Sequence, residues 1–177
     1  RPYVDEVGAD PGRLRIGLLD QHPHDGYVHD DCVAAVRSAA TMLEALGHHV
    51  EPAFPAALAD PTFTRRFMAM WGTNMALGIA GYGEMLGRPL TEDEIEPVNW
   101  AQAQWAAATS ATEYAQSLGA VARFRREVQQ WWADGFDLLL TPTLGEPPVA
   151  IGEHDPLPDD PLAGMRRAAR FVPFTPP

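Results

Sequence analysis

Lysine is absent from the 177 residues, serine occurs only at Ser38, Ser110 and Ser117, and cysteine only at Cys32. Each serine lies in a stretch that reads as helix. None sits on a sharp strand-to-helix turn or in a glycine-rich loop, where its hydroxyl could be exposed beside an oxyanion hole. The lone cysteine cannot form an intramolecular disulfide, which favours a reducing, cytoplasmic setting. No apolar run approaches the roughly 18 residues of a membrane helix, and no signal-peptide core opens the chain, so a membrane partner is not expected. Glycine-rich phosphate loops are missing as well, because "GIAGYG", Gly78 to Gly83, follows a helical stretch instead of a strand. The 13 basic residues are all arginine and face 24 acidic ones, for a formal charge of -11. That balance repels phosphate backbones, and with no basic run interleaved with aromatics it argues against nucleic acid as a partner.

What is present fits one folded unit. Apolar residues make up 46% and charged residues 21% of the chain, ordinary values for a globular protein. The length is that of a single domain, and a domain of this size buries about 70% of its unfolded surface. The chain opens with Arg1-Pro2-Tyr3, without a methionine, and is expected to be a piece of something longer.

Leu14 to Leu19, "LRIGLL", is a short apolar run between Pro11-Gly12 and a polar loop, and reads as a buried strand. From Asp31 to Leu46, Val33, Val36, Ala40 and Leu43 recur at helical steps, and Gly47 follows as a left-handed C-cap. "HHVEPA", His48 to Ala53, then reads as a second strand. Residues 1–59 are therefore expected to form a βαβ unit with parallel strands and a right-handed crossover.

Asp60-Pro61 reads as a helix start that runs to about Ile79. The segment after Arg66 carries no charge for many residues, which predicts burial of both faces, with Asn74 as the polar exception that needs a partner. Thr91 and Glu94 have the spacing of a capping box, and Pro97 interrupts or restarts the helix. The longest helical pattern covers Asn99 to Ala133, with Gly119 marking either close packing or a bend, and Gly135 ends it. Residues 60–134 are thus a largely helical insertion. A strand over Phe136 to Leu140 follows, and nine of the 17 prolines lie beyond Thr141, so 135–177 is a strand and proline-rich loop segment with one short helix from Pro161 to about Arg170.

Several side chains could carry chemistry. His22, His24, Asp25, His29, Asp30 and Asp31 are plausible ligands for a divalent metal, but their spacing matches no compact metal motif, and a solvated loop before a helix cap also explains them. The solvated loop is the preferred reading, and no metal is assigned. Cys32, near a helix start, could be a thiolate nucleophile, yet a lone helical cysteine is more often a small buried hydrophobe. The aromatic and methionine residues of Phe67 to Met75 either line an apolar channel or fill a core.

Taken together, "GRLRIGLL", the helix ending "LEALGHHVE", a long helical insert, "FDLLLTPTLGEPPVAIG" and "FVPFTPP" resemble the C-terminal half of amidase signature family enzymes, nearest the branch that hydrolyses small or aryl amides and cyclic amide oligomers. The resemblance covers nearly the whole chain in order. It implies an α/β fold, a mixed or parallel sheet layered with helices, and hydrolysis of a small carboxylic amide through an acyl-enzyme, without metal or organic cofactor. The family's catalytic centre is a Ser, a second Ser in a cis peptide and a Lys, placed upstream of the matched region. With no lysine and no Gly-Ser-rich loop, none of that triad transfers to this chain, so no catalytic residue is assigned and the piece is expected to be inactive alone. What remains would supply part of the sheet and of the substrate-pocket wall. Thr141 and Thr143, at a strand end whose family counterpart borders the pocket, are the leading substrate-binding candidates; a Thr-Pro turn closing a strand explains them equally. Trp71, Asn74 and Trp100 are further pocket-wall candidates. Whether the parent enzyme is a homodimer is left open. The competing reading is a non-catalytic ligand- or partner-binding α/β module.

Overall fold

The structure is a computed structural model that describes residues 2–24 and 26–174. Three strands, β1 (Arg15–Leu18), β2 (His49–Pro52) and β3 (Leu138–Leu140), form a parallel sheet in the order β2-β1-β3. The helices are α1 (Asp30–Ala45), α2 (Phe63–Leu86), α3 (Pro97–Ala107), α4 (Ala111–Ala133) and α5 (Ala163–Phe171). The α/β class expected from the sequence is observed, and α1 connects the parallel strands β1 and β2.

β1 is central because its residues are the ones that tolerate burial on both sides. Ile16 is 1% exposed, whereas Leu138 on the outer strand is 47% exposed. The register pairs Gly17 with Leu139, so by strand alternation Gly17, Leu19, Leu139 and Thr141 belong to one face of the sheet. On that face Gly17 meets the indole of Trp131: a Cβ added there would lie 2.5 Å from the Ala53 carbonyl oxygen and 2.6 Å from Trp131 Cζ2. Trp131 in turn stacks on Phe136 at 4.2 Å with rings 8° apart, and the Arg15 guanidinium lies 3.9 Å above Phe136. These contacts pin the end of α4 to the sheet.

The helical insertion differs from its sequence reading in three respects. α2 runs on to Leu86 and does not end at Ile79; Gly78, Gly81 and Gly83 are carried inside it, and Gly87 in the left-handed region (φ 69°) stops it. Its faces are not both buried. Packing against α3 and α4 covers part of the helix, while Trp71 and Leu77 stay substantially exposed and Asn74 is also exposed, so water can satisfy its amide. The expected helix over 99–133 is two helices. Ser110 caps α4, accepting from the Glu113 N–H at 3.2 Å while the Glu113 carboxylate accepts from the Ser110 N–H at 2.9 Å. Ser110 therefore starts a helix and is not inside one, and Gly119 has open space around it, so close packing does not account for it. Pro97 is the first residue of α3, and the Thr91–Glu94 box forms on a short 3-10 turn (Glu92–Glu94).

Gly17→Ala is expected to destabilise the protein by about 1–3 kcal/mol, the cost of overpacking against backbone that cannot retreat. A fall in the urea midpoint at unchanged m-value would show it; an unchanged midpoint would mean that Trp131 does not lie against β1 as described.

Candidate functional site

The carboxyl ends of β1 and β3 open into a cavity of about 470 Å³, within the range of small-molecule sites. Its floor is Leu19, Leu139 and Thr141. Phe63, Phe67 and Met68 of α2 form one wall, Phe124, Val128 and Trp132 of α4 another, and Met165, Ala168 and Ala169 of α5 a third. Each wall follows from helical spacing: Phe63 and Phe67, or Phe124, Val128 and Trp132, recur every four residues on one helix face. Phe63 and Phe124 stack at 3.8 Å with rings 22° apart, which joins two of the walls. The loop after β1 brings His22 and His24 to the rim, and Asp60 completes it.

The rim is locally self-satisfied. His22 Nδ1 accepts from the His24 N–H at 3.0 Å. Asp60 accepts from both the hydroxyl and the N–H of Thr62, at 2.7 and 2.8 Å, which hold its carboxyl below the usual carboxylate range, aided by the positive charge of Arg66 and His24. That turn stands where the sequence suggested an N-cap, with α2 itself beginning three residues after Asp60, at Phe63. His29, with Nδ1 accepting from the Asp31 N–H at 3.1 Å, is the N-cap of α1. Among the described residues no group of three or more His, Cys, Asp or Glu is arranged to hold a metal ion; Asp25 of the His/Asp cluster lies outside them. The Cys32 thiol is pushed up, first by burial and then by the Asp31 and Glu146 carboxylates, the opposite of an activated nucleophile.

The five residues singled out from the sequence separate. Thr141 lines the cavity, its hydroxyl donating to the Pro142 carbonyl at 2.9 Å. Thr143, two residues on, is exposed beyond the Pro142 turn. Trp71 is not among the residues that line the cavity; its ring lies 5.7 Å from that of Phe67, which is. Asn74 is on the exposed side of α2. Trp100 lines a different groove, about 580 Å³, with Ile79 and Leu90 between α2 and the start of α3. Sequence reasoning missed Phe63, Phe124, Trp132 and the small residues of α5; the four-residue spacing of the aromatics was the available signal. The end of the "FVPFTPP" segment, 175–177, lies outside the described residues.

α5 is held by the loop that follows β3. Arg167 donates to both oxygens of Glu146, at 2.7 and 3.3 Å, and to Glu153 at 2.8 Å. The hydrogen bonds from Arg167 hold the Glu146 carboxyl below its ordinary value of 4.5.

A parallel α/β layer with an apolar cavity at its strand ends is the arrangement in which α/β proteins commonly hold small molecules. The chain belongs to the amidase family, whose model, described as Amidase, matches residues 1–177. It is similar to the 6-aminohexanoate-cyclic-dimer hydrolases of Pseudomonas sp. (strain NK87) and Paenarthrobacter ureafaciens, with 36% identity to each over 154 residues. That alignment takes in 86% of this chain and 31% of each relative. A solved structure of 6-aminohexanoate cyclic dimer hydrolase complexed with substrate superposes with a TM-score of 0.85 at 33% identity, covering 98% of this chain and 38% of that one. The chain thus spans about a third of the length of these relatives. Among the described residues no helix is long and apolar enough to cross a membrane.

Because the folded-state carboxyl of Glu146 titrates low, the ion pair stabilises above the ordinary value of 4.5 and is lost as pH falls through the lowered one. The stability gap between the native protein and Glu146→Gln is therefore expected to be constant from about pH 7 to pH 5 and to shrink below 4.5. Parallel pH profiles for the two proteins would contradict the pairing.

Proposed function

We propose that these residues form the C-terminal part of an amidase that cleaves a small carboxylic amide through an acyl-enzyme, and that the cavity at the ends of β1 and β3 holds the apolar body of the substrate. One observation carries the reading. In a chain of the amidase family, the cavity lies at the carboxyl ends of parallel strands and combines aromatic walls with few polar groups. The named relatives, hydrolases of 6-aminohexanoate cyclic dimer, act on a compound of the same chemical kind.

The acyl-transfer groups come from outside the matched residues in this reading, since the chain has no lysine and Ser38, Ser110 and Ser117 all belong to α1 or α4 or cap α4. Ser117 is buried and Ser110 is spent on Glu113. The part described here binds and orients the substrate and keeps water from its apolar portion, which strengthens polar contacts at the reacting carbonyl. Thr141, on the floor, is the residue of this chain best placed to meet the amide. The enzyme so read is cytoplasmic and uses neither metal nor organic cofactor.

The test is hydrolysis of neutral amides of graded size by the intact protein, with and without Ala168→Trp, which fills the cavity from α5. Wild-type activity should survive dialysis against EDTA. The substitution should lower kcat/KM for an aryl amide by about tenfold or more, equivalent to about 1.4 kcal/mol, and should affect acetamide less. Equal losses for large and small amides would remove the cavity from the reaction. Failure of the wild-type intact protein to cleave any amide would favour a non-catalytic binding module.

A further inference from the structure

The α5 wall of the cavity is held from behind. Met165, Ala168, Ala169 and Val172 recur at three- and four-residue steps and line the cavity. Arg167 lies about 200° around the helix from Met165, on the side away from the cavity. There it bridges Glu146 of the loop after β3 and Glu153. The side chains of Arg167 and Glu146 are only 24% and 19% exposed, so the pair is screened less than a surface bridge.

The same loop is tied on its other side. The Gly145 carbonyl accepts from the His29 N–H at 2.8 Å at the start of α1, and the Gly145 N–H donates to the Phe171 carbonyl at 2.9 Å at the end of α5. Gly145 has no room for a side chain, since a Cβ would lie 2.9 Å from the Pro173 ring. At the start of α5, Arg166 also pairs with Asp160. One loop, anchored to the strand end and to α1, therefore sets where α5 stands. With alanine at 168 and 169, the cavity wall depends on the helix position more than on side-chain bulk.

We infer that Arg167 is a positioning residue for substrate: by clamping Glu146 and Glu153 it fixes α5 at the distance from the strand ends that leaves room for a bulky amide. This deepens the amidase reading and rests on it. A bidentate guanidinium suits the task because it fixes orientation as well as distance, which an ammonium does not.

The experiment uses the intact protein and compares Arg167→Met, Arg167→Lys, Glu146→Gln and the Glu146→Gln/Arg167→Met double variant. KM for N-phenylacetamide is expected to rise about tenfold in Arg167→Met, the scale of a lost charge-assisted bidentate pair, with kcat changed less than about threefold and acetamide little affected. Arg167→Lys should fall between, and the double variant should be no worse than Arg167→Met. Unchanged KM, or equal losses for both amides, would overturn the assignment. Hydrogen exchange tests the clamp without reference to activity: Arg167→Met should speed exchange over residues 166–172 and leave that of β1 unchanged. Unchanged exchange over α5 would overturn the clamp. Should the wild-type protein cleave no amide, the amidase reading falls, and the exchange result together with the Kd of N-phenylacetamide decides the clamp: accelerated exchange and weaker binding support it, and either one unchanged overturns it.

Discussion

The close contact between Trp131 and the glycine face of β1 is the constraint on which the rest depends. A side chain at position 17 would hold α4 off the sheet, because the indole and the Ala53 carbonyl already occupy that space. With Trp131 seated and stacked on Phe136, the next residue of α4, Trp132, is carried into the cavity, and Val128 and Phe124 follow one and two turns back. Phe124 then meets Phe63 and so positions α2. The cavity is the volume left between helices that are fixed at their ends by such contacts. No single element is shaped to bind anything.

Much of this was legible in the residues. "LRIGLL", the Val33–Leu43 periodicity and the strand after Gly135 give the parallel α/β layer because apolar runs and glycine stops act locally. The break between α3 and α4 was present as Ser110-x-x-Glu113 but was outweighed by the long apolar stripe on either side of it, and only the capping hydrogen bonds show that the signal is used. Asn74 was misread because absence of charge was taken for burial; burial depends on how many neighbours cover a helix, which composition does not record. Thr141, picked out for its place at a strand end, does line the cavity. Thr143 was assigned to the same strand end, but beyond the Pro142 turn it is exposed to solvent. Residues such as Ala168 and Trp132 escaped notice because a cavity wall is assembled from distant segments, and their shared spacing has no meaning until the helices are packed.

The chemical character of the cavity follows from the same packing. Its titratable lining residues are His22, His24 and Asp60, all on the rim, and two of these have local hydrogen bonds that fix them. The interior is aromatic and aliphatic, so a guest is held mainly by removing apolar surface from water, with direction supplied at the strand ends. In the proposed reading such a site receives a neutral amide with a substantial hydrocarbon body, and the remainder of an amidase supplies the bond-breaking groups. The Arg167 clamp belongs to this division of labour, since it shapes the cavity without touching what is in it.

The most direct measurement of the central claim is where a neutral aryl amide binds on the intact protein, determined by backbone amide chemical-shift mapping. Perturbation centred on Phe63, Trp132, Leu139 and Thr141 is the expected result. Perturbation centred on Trp100 and Leu90, in the groove between α2 and α3, would contradict the assignment of the substrate site to the strand ends.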